Sequence, residues 1–166
     1  VVARFSKLQS NDAPLDESSV SLIMPIISTL VAVMSLNPVE IVRTCAYEAF
    51  YSLFEAMVPQ ARYRVLQNMM STSMNSSSAN EPSRVIAAVA LQRLRLEISS
   101  AVLREPFTQT AALQLALPWI QKSTHPPGWG NEEDVLHNAD VLAAALSVVR
   151  FVLLKRLAIH RNAEKT

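Results

Sequence analysis

The sequence has few glycines, cysteines or aromatics: two Gly, one Cys and 6% aromatic side chains among 166 residues. Scarce glycine leaves few positions able to take the positive φ that tight hairpins and phosphate-cradling loops need, which argues against a sheet-rich fold and a glycine-cradle nucleotide site. Both glycines, Gly128 and Gly130, fall in one loop. The single cysteine, Cys45, excludes an internal disulfide framework and reads as a small buried apolar residue; by itself it does not report a compartment, though it sits easily with the reducing interior of the cytoplasmic, also nuclear, location expected for the chain. An excess of one charge sign is missing as well. Fifteen Lys and Arg against fourteen Asp and Glu leave a net charge of +1, which supplies no global field to gather nucleic acid or an anionic substrate. There is no GxSxG elbow, HExxH helix or Walker loop. His125, His137 and His160 each stand alone, without Cys or carboxylate partners at metal-ligand spacing. These absences point away from an enzyme, a cofactor, a metal, a small-molecule substrate and nucleic acid.

What is present is apolar periodicity punctuated by nine prolines. Proline loses nothing in the first turn of a helix, so the prolines divide the chain into six expected helices. The first spans about Asp16 to Ser35, with Leu22, Ile23, Ile26, Ile27, Leu30, Val31 and Met34 as a broad apolar surface bent at Pro25. The second opens on Asn37-Pro38-Val39-Glu40, read as an Asn cap with a first-turn proline, and runs to about Met57. Its expected inner stripe is Val39, Val42, Ala46, Ala49, Phe50, Leu53 and Met57, with Tyr47, Tyr51 and Phe54 on a neighbouring face. The third runs from Pro59 to about Met70, before a serine-rich loop over Ser71 to Ala79. The fourth runs from near Pro82 to Arg104, with Ile86, Ala87, Ala90, Leu91, Leu94, Ile98 and Val102 inward and Arg93, Glu97 and Arg104 outward. The fifth opens at Pro106 and is interrupted at Pro118. The sixth spans about Glu132 to His160, with the acids Glu132, Glu133 and Asp134 at its positive end and Lys155, Arg156 and Arg161 at its negative end. From Val141 to Val149 it carries no charge, so neighbours are expected to cover most of its circumference.

The uncharged run from Ser18 to Val39 is long enough to cross a bilayer. Its proline, serines and threonine, without an aromatic belt or flanking basic asymmetry, favour a buried helix over a membrane span. With no initiator Met and no signal-peptide core at Val1-Val2-Ala3-Arg4-Phe5, residues 1–166 read as one helical-repeat domain from a longer solenoid.

An internal repeat supports that reading. Arg43, Ala46, Ala49, Phe50, Leu53 and Met57 align with Arg84, Ala87, Ala90, Leu91, Leu94 and Ile98, each pair 41 positions apart. That period lies in the range of about 40 to 47 residues typical of HEAT and armadillo repeats. The expected fold is therefore all-α, a HEAT- or armadillo-like α-solenoid of about three helical hairpins, with an irregular helical bundle as the alternative. Candidate partner-binding residues are Trp129, a large ring in a Pro- and Gly-flanked loop, and the basic side chains Arg93, Arg95, Arg104 and Lys155. For each there is a structural alternative: a ring folded back as a plug for Trp129, a solvated charged face for the arginines, and complementarity to the helix dipole for Lys155.

Four segments carry a family resemblance. Arg84-x-x-Ala87-Ala88-Val89-Ala90-Leu91, then Glu105-Pro106-Phe107, then Leu117-Pro118, then the run Ala145 to Leu153, in this order, resemble the C-terminal half of the glomulin family, with its plant members and its fungal YAP-binding or kinetochore-associated relatives. The likeness covers roughly Ser19 to Asn162. It implies an adaptor that binds a RING-box protein, the RING subunit of cullin-RING ubiquitin ligases, and blocks recruitment of the ubiquitin-conjugating enzyme. It also implies, as an alternative, a scaffold for kinetochore or oxidative-stress transcription-factor complexes.

Overall fold

A computed structural model of the chain describes residues 14–75, 81–100, 106–124 and 132–163. Every regular element among them is helical: a 3-10 turn at Glu17–Ser19, then α1 (Val20–Leu36), α2 (Glu40–Glu55), α3 (Pro59–Asn75), α4 (Glu81–Ser100), α5 (Gln109–Thr124) and α6 (Glu132–Ala163). The chain divides into two compact units, Val1–Val65 and Leu66–Thr166, and the boundary falls within α3.

In the first unit, Asp16 caps the 3-10 turn. Its Oδ1 accepts from the Ser18 hydroxyl at 2.6 Å, the Ser18 N–H at 3.1 Å, the Ser19 hydroxyl at 3.2 Å and the Ser19 N–H at 3.3 Å. The Ser18 hydroxyl is the largest of the influences that hold the carboxyl below the usual aspartate value. Because the folded value lies below the unfolded one, the cap's stabilisation is complete above the ordinary aspartate range and is lost as pH falls through the lowered folded value. An NMR titration is expected to place the Asp16 midpoint below 3.8. Ser18→Ala is expected to raise it; an unchanged midpoint would count against the hydroxyl as the main cause.

Helix α1 packs against α2. Its inward stripe is Val20, Ile23, Ile27 and Val31, spaced three or four residues apart, and its opposite side leaves Leu22 and Ile26 exposed. The expected apolar surface is thus only half buried. Pro25 sits inside the helix without ending it. Pro25 and Ser21 are both exposed, so water can serve the Ser21 carbonyl that the missing N–H leaves unbonded.

Helix α2 begins two residues later than the sequence suggests. Asn37, preceding proline, is extended at φ −73° and ψ 126°, as the steric demand of the proline ring favours. Its Oδ1 accepts from the Val39 N–H at 2.9 Å, a bond within the connecting turn, and Val39 stands at the cap position. Arg43 secures the same turn by donating Nη1–H to the carbonyls of Asn37 and Pro38. The buried side of α2 is Ala46, Phe50 and Phe54, while Val39 and Val42 of the expected stripe are exposed. Cys45 is also exposed, which corrects its reading as a core residue. It lies one position before the buried stripe, where a 100° turn is enough to bring a side chain out. Met57 lies beyond the helix and is buried beside an isolated parallel bridge with Leu15. There the Leu15 N–H donates to the Ala56 carbonyl and the Val58 N–H to the Leu15 carbonyl, both at 3.0 Å.

Helix α3 runs to Asn75, through the first part of the expected serine loop; residues 76–80 lie outside the described ones. Ser71 and Ser73 donate their hydroxyls to the carbonyls of Gln67 and Met69, four positions back, and so stay compatible with the helix.

In the second unit, α6 packs against both α4 and α5. Ala87, Ala90, Ala112, Ala116 and Ala145 are fully buried, and these small side chains allow close approach while Leu91, Leu94, Ile98, Val141, Val148 and Val152 fill the space between. Helix α5 begins three residues after Pro106, where the Thr108 hydroxyl accepts from the Ala111 N–H, and it continues through Pro118. Among the residues of α6 whose burial is described, Val141, Ala145, Val148 and Val152 are the fully covered ones. Within the uncharged segment Leu142, Ala144, Ser147 and Val149 are half-buried and only Ala143 and Leu146 are exposed, so neighbours cover most of this stretch and leave one side open.

Candidate functional site

The structure separates the five basic and aromatic candidates. Trp129 and Arg104 lie outside the described residues, as do His125 and the two glycines. Arg93 is not on a solvated face. Both Arg93 and Glu97 are 5% exposed, and the guanidinium Nε–H and Nη2–H donate to Glu97 Oε1 at 2.9 and 2.6 Å. Their one-turn spacing was legible, but their burial was not. Ile86, Ala90, Arg93 and Glu97 share one side of α4, so the core that buries Ala90 of the expected stripe extends over the ion pair next to it. Gln92, Arg95 and Ser99 form the exposed side instead.

Lys155 has a structural occupation. Its ammonium donates to the Ile98 carbonyl in the last turn of α4 and lies 5.7 Å from the centroid of the Phe151 ring. A cation there adds a donor to that carbonyl and rests against the face of an aromatic ring. Among the described candidates Arg95 is the exposed one; its Nη1–H donates to the Ser147 hydroxyl of α6 at 3.2 Å.

Around that contact lies a surface the sequence reading missed. Leu146, Leu153, Leu154 and Leu157 of α6 are between 49% and 59% exposed, on the side opposite the packed stripe of Val141, Ala145, Val148 and Val152. Arg150 and Arg156 are exposed among them. The available signal was the spacing of leucines at 146, 153 and 157, a second apolar row that one core could not bury together with the first. The first unit also leaves apolar side chains exposed, Leu22, Ile26 and Leu36 of α1 and Ile41 and Tyr47 of α2, the last two beside the exposed carboxylates Glu40 and Glu48. The segment Glu17–Leu36 is long and apolar enough to cross a membrane by length and composition. Among the described residues, no three His, Cys, Asp or Glu side chains converge to hold a metal. No family model, curated protein or solved structure matches the chain significantly.

Proposed function

We propose that this chain is a non-enzymatic helical-repeat module that binds other proteins. The observation that carries the reading is the outer face of α6, where four leucines stay open to solvent around arginines while the inner face is packed. Clustered exposed apolar side chains interspersed with arginine are the usual chemistry of a protein-binding surface. The solenoid arrangement is part of the same proposal. It draws support from the packing of α1 on α2 and of α5 on α6, and from the burial of both Ala46 and Ala87, the repeat-equivalent positions of α2 and α4.

The partner suggested by the sequence resemblance is the RING-box subunit of cullin-RING ligases. Inhibition by covering its docking surface requires affinity and residence time and no catalytic group. The test is titration calorimetry of the chain against a purified RING-box protein. Binding at about micromolar Kd or tighter is expected. Absence of binding removes that partner and transfers the reading to a scaffold for kinetochore or oxidative-stress transcription-factor complexes, to be sought with those assemblies.

A further inference from the structure

The charge around the exposed leucines defines the partner more closely. At 100° per residue, Arg150 lies within about 60° of Leu146, Leu153, Leu154 and Leu157 around the helix axis, at the middle of the apolar face. Arg156 lies on one flank, and Arg95, bonded to Ser147, lies on the other. No Asp or Glu occurs from Val141 to Ala163. Helix α5 carries no acid; α4 carries Glu81 at its first position and Glu97, which is buried against Arg93; and the exposed Asp140 of α6 lies six positions before Leu146, ahead of the leucine row. The leucines are therefore set in a locally cationic surface on a chain whose net charge is only +1.

Building on the interaction-module reading, we propose that the outer face of α6 docks an acidic amphipathic helix of a partner protein. Its apolar residues would lie against the leucines and its carboxylates opposite Arg150, Arg95 and Arg156. Helix-on-helix packing matches the leucine spacing of four and seven. A carboxylate on the incoming helix meets the Arg150 guanidinium in bidentate geometry. Two other occupants fit less well. A bilayer accommodates cations at the rim of an amphipathic helix, whereas Arg150 at the middle of the face would be drawn toward the acyl chains. A second copy of the face would oppose arginine with arginine.

The test uses the full chain and a synthetic helical peptide of about three heptads, with leucine at a and d and glutamate at e and g; its own acids keep it from self-pairing at neutral pH. Fluorescence anisotropy is expected to show saturable binding. Leu153→Ser combined with Leu157→Ser should weaken it at least about tenfold, as should Arg150→Glu. All three positions are exposed, so circular dichroism should show unchanged helicity. Arg150→Glu should bind better to a peptide with lysine in place of glutamate, a reversal that misfolding would not produce. The proposal is overturned if wild type binds the lysine and glutamate peptides equally, or if the variants bind like wild type. It is likewise overturned if phosphatidylserine vesicles are bound and the peptide is not, or if sedimentation shows a dimer that the peptide does not dissociate. RING-box binding unaffected by these variants, together with no peptide binding, would leave the interaction module standing and remove this face from it.

Discussion

Glu97→Ala is expected to destabilise the second unit by about 3–5 kcal/mol, because it removes the carboxylate bonded to the Arg93 guanidinium in a site from which water is excluded. The two side chains are each 5% exposed and are joined at 2.6 Å, so neither can recover its lost partner from solvent. The order of the pair is informative. Arginine preceding glutamate by one turn is the less favourable arrangement along the helix dipole, so local helix electrostatics do not account for it. Replacing both members with apolar side chains of similar volume, Arg93→Met with Glu97→Leu, is expected to cost far less than either single loss and can be neutral or stabilising, since neither charge then needs desolvating. Urea denaturation of the two single variants and the double variant would measure this. Single costs below about 1 kcal/mol would show the pair behaving as an exposed one.

Phe54→Ala should have a comparable effect in the first unit, about 3–5 kcal/mol, from lost burial and the cavity left behind. Its ring is fully buried and lies 4.8 Å from that of Phe50, with planes inclined at 45°, an arrangement that adds an aromatic contact to the area removed from water. Phe54→Leu should cost less, because more of the volume is kept. Tyr47→Ala, at an exposed position of the same helix, should change stability by no more than about 0.5 kcal/mol. Thermal or urea unfolding of the three variants checks the order, and equal losses at Phe54 and Tyr47 would contradict the observed burial.

The α6 surface shows why candidate binding residues are harder to read than cores. Arg95 and Lys155 are both basic and both on helices, yet one is exposed and the other is directed at the Ile98 carbonyl of α4. That difference depends on how α4 and α6 pack against each other. Residue type and spacing on a single helix do not contain it.

The sequence by itself determined that the chain is helical. Period-3.6 apolar spacing, scarce glycine and prolines placed near helix starts are local properties, and they located all six helices with boundary shifts of a few residues. They also placed Ala46, Phe50, Ala87, Leu91, Leu94 and Ile98 in the buried set, since each belongs to an apolar row with no polar competitor. Tertiary structure decided which of two competing faces is covered. Helix α1 has apolar side chains on more than one side, and its packing on α2 buries Ile23 and Ile27 while leaving Leu22 and Ile26 open. On α6 the contacts with α4 and α5 bury Val141, Ala145, Val148 and Val152 and leave the leucine row outside; on α4, Arg93 and Glu97 are enclosed although their spacing on the helix does not require it. Periodicity gives the angle of a side chain around its own axis, whereas burial depends on which neighbouring helices occupy that angle, a long-range property that emerges only when the helices assemble.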